Sequence, residues 1–224
     1  MFKSTSFSDI LPIVVLGCCF VQHCPGDSEN IQDICPTFHA SDGETVFING
    51  LPCKPPYEVT PSDFKSMKLS DPGDTDNFRG SAVSILTAAE YPGLNTLGLS
   101  VARTDLTVDG LVMPHSHPRA SEIMYVYQGK VVAGFVDTRN QLFQKSLGKG
   151  DVMVFPRGLL HFSLNVGYDD ATIFSVLNSQ NPGVVGISDA MFMPRQGNGS
   201  AMASRLRKRV MRFISKFNDS SMTQ

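Results

Sequence analysis

The middle of the chain, from about residue 81 to residue 177, consists of short runs in which apolar and polar residues alternate. Turn-forming pairs such as Asp109-Gly110 and Gln128-Gly129 separate these runs. Alternation with a period of two is typical of half-buried strands, so the pattern predicts an all-β antiparallel sandwich or barrel. The predicted strands are Leu97–Val108, Glu122–Tyr127, Lys130–Val136, Gln141–Leu147, Asp151–Phe155, His161–Val166 and Ala171–Leu177.

The regions on either side of this β-rich segment have different patterns. Residues 27–80 are rich in Pro, Asp, Gly and Ser and contain only strand-sized fragments such as Thr45–Ile48, which predicts an irregular N-terminal arm. Residues 81–185 form the predicted barrel, and residues 186–224 form a C-terminal helical extension. Within that extension we predict an α-helix that begins near Ser204. Its apolar face is formed by Leu206, Val210, Phe213, Ile214 and Phe217.

The opposite face of this predicted helix is basic. Residues 204–217 contain six of the 19 Lys and Arg residues and no acidic residue, so the rest of the chain is acidic. A basic amphipathic helix fits a membrane surface or a polyanionic wall polymer, and it equally fits a packing helix with a solvated basic face. The formal net charge of −2 excludes the chain as a whole from the strongly basic nucleic-acid binders.

The first 26 residues predict a secretory signal peptide. Lys3 precedes the apolar run Ile10–Val21, which is shorter than the roughly 20 residues that span a bilayer. Cys24 and Gly26 are small residues at the positions that a signal peptidase requires for a cut before Asp27. The alternative is a buried N-terminal helix. No other run reaches membrane length, so we expect an exported protein without a transmembrane segment.

Two cysteines remain after such a cut, Cys35 and Cys53. An even pair in an exported chain, flanked by Pro36 and Pro52, favours one disulfide that staples the N-terminal arm. Two free thiols or a metal-binding pair are the alternatives.

Histidine is scarce, with five in 224 residues, and three of them fall in two compact segments. His115 and His117 are two apart, so in a strand they point to the same face. After Pro118, a short turn brings Glu122 to the start of the next strand, and a second segment presents His161 after a Pro-Arg-Gly turn.

Three imidazoles and one carboxylate facing one barrel interior would form a mixed nitrogen and oxygen metal site. Such a ligand set suits Mn, Fe, Zn, Cu or Ni better than Ca or Mg, which prefer oxygen ligands. Four ligands around an octahedral ion leave two positions for water or substrate. The alternative is three unrelated histidines, and the combined spacing argues against it.

The same residues resemble the two sequence motifs of the germin-like proteins, a plant family of the cupin superfamily. His115, His117, Glu122 and Gly129 fit the first motif, G-x5-H-x-H-x3-4-E-x6-G, except that Asp109 stands where its leading Gly is expected. The second motif, G-x5-P-x-G-x2-H-x3-N, is matched throughout by Gly150, Pro156, Gly158, His161 and Asn165. The similarity covers roughly residues 31–190, including the segments QDICP, HPRASE and NSQNPG.

This resemblance implies a cupin β-jelly-roll barrel with C-terminal α-helices and a Cys35–Cys53 disulfide. It implies a Mn ion on His115, His117, Glu122 and His161, and a homohexamer built as a trimer of dimers. Together with the predicted signal peptide, it points to the apoplast or cell wall and to a role in plant defence or wall metabolism, with wall polymers as a candidate partner of the predicted basic helix. Two sequons, at Asn198 and Asn218, are consistent with a glycoprotein.

The resemblance leaves the activity open between three functions. Germins that oxidise oxalate carry two Asn residues beside the metal, and the matching positions here are Val112 and Ala102, which argues against oxalate oxidase. Dismutation of superoxide, a small anion, requires only a redox-active metal with an open position and does not need those amides. The third hypothesis is a non-enzymatic binding or wall-structural protein.

Overall fold

The computed structural model describes residues 32–38, 47–48 and 50–186. Contacts divide the chain into Met1–Asp33 and Ile34–Gln224, and every element below belongs to the second unit. The predicted signal peptide, the predicted helix at 204–217 and the sequons at Asn198 and Asn218 lie outside the described residues.

The described residues form β-strands and three short 3₁₀ turns, which confirms the all-β prediction. The turns are Pro56–Glu58, Pro61–Phe64 and Pro92–Leu94. The strands are β1 (Phe47–Ile48), β2 (Leu51–Pro52), β3 (Ser81–Leu86), β4 (Ser100–Leu106), β5 (Leu111–Ser116), β6 (Glu122–Gln128), β7 (Lys130–Val136), β8 (Leu142–Gly148), β9 (Val152–Phe155), β10 (Leu160–Asn165), β11 (Ala171–Leu177) and β12 (Val185–Gly186).

Two five-stranded antiparallel sheets face each other, in the jelly-roll arrangement that the sequence predicts. The first sheet has the order β12-β5-β10-β7-β8 and the second has the order β3-β4-β11-β6-β9. Strands that are neighbours in a sheet are mostly distant in sequence, so chain crossovers connect the two layers. The core between them contains Leu106, Met124, Val126, Val131, Ala133, Leu147, Phe155, Ala171 and Ile173.

The alternation along β6 shows which of its side chains enter the core. Met124 and Val126 are almost completely buried, whereas Ile123, Tyr125 and Tyr127 on the other face are exposed. Because successive side chains of a strand point to opposite sides of the sheet, one strand supplies both the core and an apolar outer face.

Strands β7 and β11 have the predicted bounds, whereas the predicted strand Leu97–Val108 is shortened to β4. Thr96 and Gly98 have positive φ angles of 72° and 65°, and this left-handed backbone prevents pairing before Ser100. The N-terminal arm is also more ordered than predicted, because it contains β1, β2 and two of the 3₁₀ turns.

Asn165, the last position of the second motif, has a structural role. It is completely buried at the end of β10, and its side-chain amide donates to the carbonyls of Leu106, Thr107 and Asp169. Its amide oxygen accepts from the backbone N–H of Gly167 at 2.9 Å. The side chain therefore stabilises the turns that hold one end of the barrel.

The predicted disulfide between Cys35 and Cys53 is present and links two parts of the N-terminal arm. Thr37 pairs with Cys53 in an isolated bridge, and the Lys54 N–H donates to the Pro36 carbonyl at 2.8 Å. The buried amide of Asn95 contacts the Cys35 sulfur at 3.1 Å. These contacts hold residues 35–37 against the loop before β4.

Replacing both cysteines by serine (Cys35→Ser, Cys53→Ser) is expected to lower the free energy of unfolding by about 3 kcal/mol, since the disulfide closes a loop of 18 residues in the unfolded chain. Thermal unfolding should shift downward by roughly 6–12 °C for a domain of this size. Wild-type protein with reductant is the control and should unfold with the double variant. Unchanged unfolding in both samples would contradict a stabilising role.

Candidate metal centre

The structure brings the four predicted site residues together from both sheets. His115 lies on β5 and His161 lies on β10, and the two are register partners in the first sheet. Glu122 is the first residue of β6 in the second sheet, where it pairs with Phe155 and Leu177. With His117, their candidate ligand atoms all lie within 4.8 Å of one another.

The expectation that His115 and His117 share a strand is wrong in one respect. Strand β5 ends at Ser116, because Pro118 has no N–H and the chain turns there. His117 is held outside the strand by its backbone carbonyl, which accepts from the Gly158 N–H at 3.0 Å. Its ring still faces His115, with the ring centroids 5.1 Å apart.

Each imidazole is oriented by a backbone carbonyl. The Nδ1 atoms of His115, His117 and His161 lie 2.9, 2.7 and 2.9 Å from the carbonyl oxygens of Met113, Gly183 and Leu159. A carbonyl can only accept, so each Nδ1 carries the hydrogen and donates it. The three Nε2 atoms are then left with lone pairs, which is the tautomer that binds a metal.

The Nε2 atoms meet the carboxylate of Glu122. Its Oε2 lies 3.1 Å from His117 Nε2 and 3.3 Å from His161 Nε2. The Nε2 of His161 is buried and has no hydrogen-bond partner, although the carboxylate is close. A buried lone pair beside a carboxylate is unfavourable unless a cation lies between them. This unpartnered atom is the observation that fits a bound metal ion.

The electrostatics of the cluster favour a neutral His115 and an ionised Glu122, the protonation states in which these two side chains bind a cation. Burial lowers the pKa of His115 to about 4, assisted by the nearby His161, so this imidazole is neutral at neutral pH. Burial acts to raise the pKa of Glu122, but the nearby imidazoles of His117 and His161 and the Ser175 hydroxyl outweigh it and lower that pKa. Glu122 is therefore a carboxylate, and it in turn raises the pKa of His117 against the effect of burial.

The geometry also fits an ion of ordinary size. Metal–ligand bonds of about 2.1 Å separate adjacent ligands by about 3 Å, close to the 3.1 and 3.3 Å that separate Glu122 Oε2 from His117 Nε2 and His161 Nε2. The Phe155 ring is buried and stacks on the His161 ring, with centroids 4.5 Å apart and planes 16° apart. The ring of His161 is thus fixed on its face as well as at Nδ1.

Residues 181–186, which we call the strap, orient His117. The sequence motifs assign no role to this segment. Its β12 pairs with β5 opposite Ser116 and His115, and the carbonyl of Gly183 accepts from His117. Gly183 has φ +68°, and an added Cβ would lie 2.9 Å from the Arg119 guanidinium. The Asn-Pro-Gly turn within NSQNPG was the available signal for a tight approach here.

Arg119 fixes the strap to the turn after His117. Its Nε donates to the Asn181 carbonyl at 2.7 Å, its Nη2 donates to the Asn181 side chain at 2.8 Å, and its backbone N–H donates to Pro182. Arg119 thus positions the carbonyl that orients a candidate ligand.

The substitution Arg119→Gln is expected to weaken metal binding about tenfold, since groups that orient a ligand typically contribute 10- to 100-fold to affinity. Titration of the purified protein with Mn²⁺ measures the effect. Arg119→Lys should be intermediate, because an ammonium cannot hold both Asn181 oxygens as the guanidinium does. Arg139→Gln, at an exposed turn where the arginine pairs with Asp137, is the matched control. Equal affinities in all four proteins would contradict the positioning role.

A cavity of about 270 Å³ lies beside the cluster, between the two sheets. Ala102 and Val112, the two positions singled out from the sequence, both line it. Neither side chain offers a hydrogen-bond donor.

The described residues include no helix long and apolar enough to cross a membrane.

Comparison with known proteins agrees with this geometry. The family described as Cupin matches residues 67–198. Germin-like protein 11-1 of Oryza sativa subsp. japonica is 54% identical, and the match covers 90% of this chain and 88% of that protein. Germin-like protein subfamily 3 member 4 of Arabidopsis thaliana is 57% identical, and the match covers 79% of this chain and 84% of that protein. The solved structure of a recombinant oxalate oxidase in complex with glycolate is 36% identical, with a TM-score of 0.71, and the match covers 82% of this chain and 97% of that one.

Proposed function

The chain belongs to the germin-like proteins of the cupin family, and from this premise we propose that it is a secreted manganese protein that dismutes superoxide. The observation that carries the proposal is the converging set of three oriented imidazoles and one buried carboxylate, with an unpartnered Nε2 at its centre. The proposed ligands are His115, His117, Glu122 and His161. In this proposal the chain consists of a signal peptide (1–26), an arm (27–80), a barrel (81–185) and an extension (186–224).

The donor set supports manganese. One carboxylate and three imidazoles combine harder and softer donors, and such a set suits divalent first-row transition metals better than Ca²⁺. A bound manganese ion would supply one-electron redox chemistry between its oxidation states. Of the chain's own residues, Glu122 would balance the charge of the ion, and the carbonyls of Met113, Gly183 and Leu159 would keep the imidazoles in the binding tautomer.

The cavity wall supports superoxide over oxalate as the substrate. An oxalate-specific site needs hydrogen-bond donors for the second carboxylate, and Ala102 and Val112 offer none at the positions where oxalate-oxidising germins carry Asn. Superoxide is a small monoanion and needs no such partner. The likeness to a solved oxalate oxidase keeps oxalate oxidation as the second candidate.

A superoxide assay on manganese-loaded and chelator-stripped protein tests the proposal. Activity that is lost on stripping and restored by Mn²⁺ is the expected result. Full metal loading without activity would contradict the enzymatic proposal and favour the third candidate, a non-enzymatic binding or wall-structural protein in which the ion stabilises the fold. Metal analysis of the same sample identifies the ion.

The outer face of the second sheet supports self-association into the proposed hexamer. Ile123 and Tyr125 on β6 are exposed beside Val154 and Val152 on the edge strand β9. Contiguous exposed apolar surface of this kind marks protein interfaces, and identical chains commonly associate through the same patch. Light scattering measures the assembly, and a monomeric mass would contradict it.

Secretion to the apoplast and a role in plant defence or wall metabolism complete the proposal. The disulfide supports an oxidising compartment, because cytosolic thiols are kept reduced. The predicted signal peptide at 1–26 supports export. Sequencing the mature N-terminus tests the cut before Asp27.

A further inference from the structure

A chain of hydrogen bonds connects the disulfide with Gln180, the residue that precedes the strap. The Asn95 amide nitrogen donates to the Cys35 sulfur at 3.1 Å, and the Gln180 amide nitrogen donates to the Asn95 amide oxygen at 3.1 Å. The Gln180 amide oxygen in turn accepts from the Thr96 backbone N–H at 2.6 Å. Cys35 and Asn95 are 2% and 1% exposed, so solvent does not compete for their hydrogen bond.

The two ends of this chain fix the orientation of both amides. At one end the Thr96 backbone N–H can only donate, so the Gln180 oxygen faces it and the Gln180 nitrogen faces Asn95. At the other end the disulfide sulfur of Cys35 carries no hydrogen and can only accept, so the Asn95 nitrogen faces it. Flipping either amide would place two acceptors or two donors against each other. The connection is therefore specific.

Gln180 lies at the start of the segment that orients a candidate metal ligand. Its backbone carbonyl accepts from the Ala88 N–H at 3.1 Å. Three residues later the Gly183 carbonyl accepts from His117 Nδ1 at 2.7 Å. Two groups of contacts thus fix the strap, those of Arg119 with its first two residues and those of Gln180 immediately before it.

We propose that Gln180 is a positioning residue of the metal centre, and that reduction of the Cys35–Cys53 disulfide weakens metal binding through it. The inference rests on the proposed metal site and adds a means of regulating it. With the disulfide intact, Cys35 and Asn95 hold Gln180 in place, and the strap presents its carbonyl to His117. Reduction releases Cys35, the strap loosens, and the His117 ring gains freedom that it loses again when it binds a metal.

Reduction of the disulfide is a two-electron exchange with a dithiol. Cys35 is 2% exposed whereas Cys53 is half-buried, so the attacking thiolate reaches the Cys53 sulfur. A mixed disulfide with Cys53 forms, the bond between the two cysteine sulfurs breaks, and Cys35 leaves with the electron pair and takes up a proton. The second thiol of the reductant then displaces Cys53, which is also protonated, and the reductant is oxidised to a cyclic disulfide.

Manganese titration of the intact protein, oxidised and reduced, measures the linkage. The dithiol is removed under nitrogen before titration, and thiol titration confirms the reduction. Affinity for Mn²⁺ should fall about tenfold on reduction, since groups that orient a ligand contribute 10- to 100-fold. Oxidised Gln180→Ala should show the same fall, and reduction should then change it little, because the connection is already broken. Gln144→Ala, exposed on β8, is the matched control and should respond to reduction as wild type does.

A second control separates positioning from global stability, which the loss of a disulfide also lowers. Leu147→Ala truncates a buried side chain of β8 outside the cavity wall. It should lower the unfolding temperature and leave the affinity for Mn²⁺ at the wild-type value.

Hydrogen exchange on metal-free protein gives a readout that does not depend on the ion. Reduction should accelerate exchange of the Arg119 N–H, which donates to the Pro182 carbonyl of the strap. Exchange of the Asn165 N–H, which donates to Gly110 at the other end of β5, should stay unchanged.

Failure of this inference and failure of the proposed function are distinguishable. Wild type that binds manganese and dismutes superoxide, but keeps its affinity on reduction or in Gln180→Ala, overturns the inference alone. So does a tenfold fall on reduction of Gln180→Ala, an equal loss of affinity in Leu147→Ala, or unchanged exchange at Arg119. Oxidised wild type that takes up no metal overturns both. A fall on reduction in wild type and Gln144→Ala that is absent in Gln180→Ala supports the inference.

Discussion

Replacing His161 with alanine is expected to abolish tight manganese binding. The Nε2 of His161 is the buried atom of the cluster that lacks a hydrogen-bond partner, so a metal ion would take its lone pair. The substitution removes one of four ligands and also the ring that stacks on Phe155. Groups that only orient a ligand contribute 10- to 100-fold to affinity, so the loss of a ligand should exceed about 100-fold.

Elemental analysis after gel filtration measures this effect. Wild-type protein should retain about one Mn per chain, and His161→Ala should retain almost none. Because truncation of a buried ring can also disturb folding, Glu122→Gln serves as a second ligand variant that preserves side-chain size and removes the charge. Tyr168→Ala, at a side chain that is 98% exposed, is the control for substitution as such.

Circular dichroism must show that the ligand variants remain folded for their metal content to be interpreted. Full manganese occupancy in folded His161→Ala would overturn the assignment of the ligands. Full occupancy in Glu122→Gln alone would show that the three imidazoles suffice.

Wild-type, manganese-loaded protein is expected to dismute superoxide and to release no appreciable peroxide from oxalate. Introducing amides at two cavity positions, by Val112→Asn and Ala102→Asn together, should improve oxalate binding. A hydrogen bond to a charged acceptor contributes roughly 1.5–3 kcal/mol, so each amide that reaches the substrate should improve binding about tenfold or more. Both positions line the cavity of about 270 Å³.

The measurement is peroxide release from oxalate and superoxide consumption, on one preparation of each protein with known metal content. The single variant Val108→Asn, outside the cavity, is the matched control and should behave as wild type. Strong oxalate turnover by wild type would contradict the proposed substrate preference. Inactivity of wild type in both assays would favour the non-enzymatic candidate.

Local sequence patterns predicted the ligand cluster because each motif lies within one strand-turn-strand unit. His161 and Glu122 occur at the ends of strands that alternation alone identifies, β10 and β6, and their bounds were predicted within one residue. In contrast, Pro114 interrupts the apolar pattern of β5, so alternation alone does not predict that strand. The position of His117 beyond the strand end depends on the turn at Pro118 and on distant backbone groups.

The support of His117 shows what a local pattern cannot predict. The carbonyl that orients it belongs to Gly183, 66 residues later in the chain. A backbone carbonyl carries no sequence signal of its own, and its location follows from the pairing of β12 with β5 and from the hydrogen bonds of Arg119. Similarly, the disulfide was predictable from a count of cysteines, whereas the 3₁₀ turns of the arm depend on specific contacts such as the capping of Pro61–Phe64 by Thr60 and Asp63.

The location of the proposed ligands in both sheets affects how the protein unfolds. His115 and His161 belong to the first sheet and Glu122 belongs to the second. A bound ion therefore crosslinks the two sheets, and they cannot separate until its bonds to one side have broken. Such an ion raises the barrier to unfolding as well as the equilibrium stability, so the protein's lifetime among proteases would depend on how slowly it releases metal.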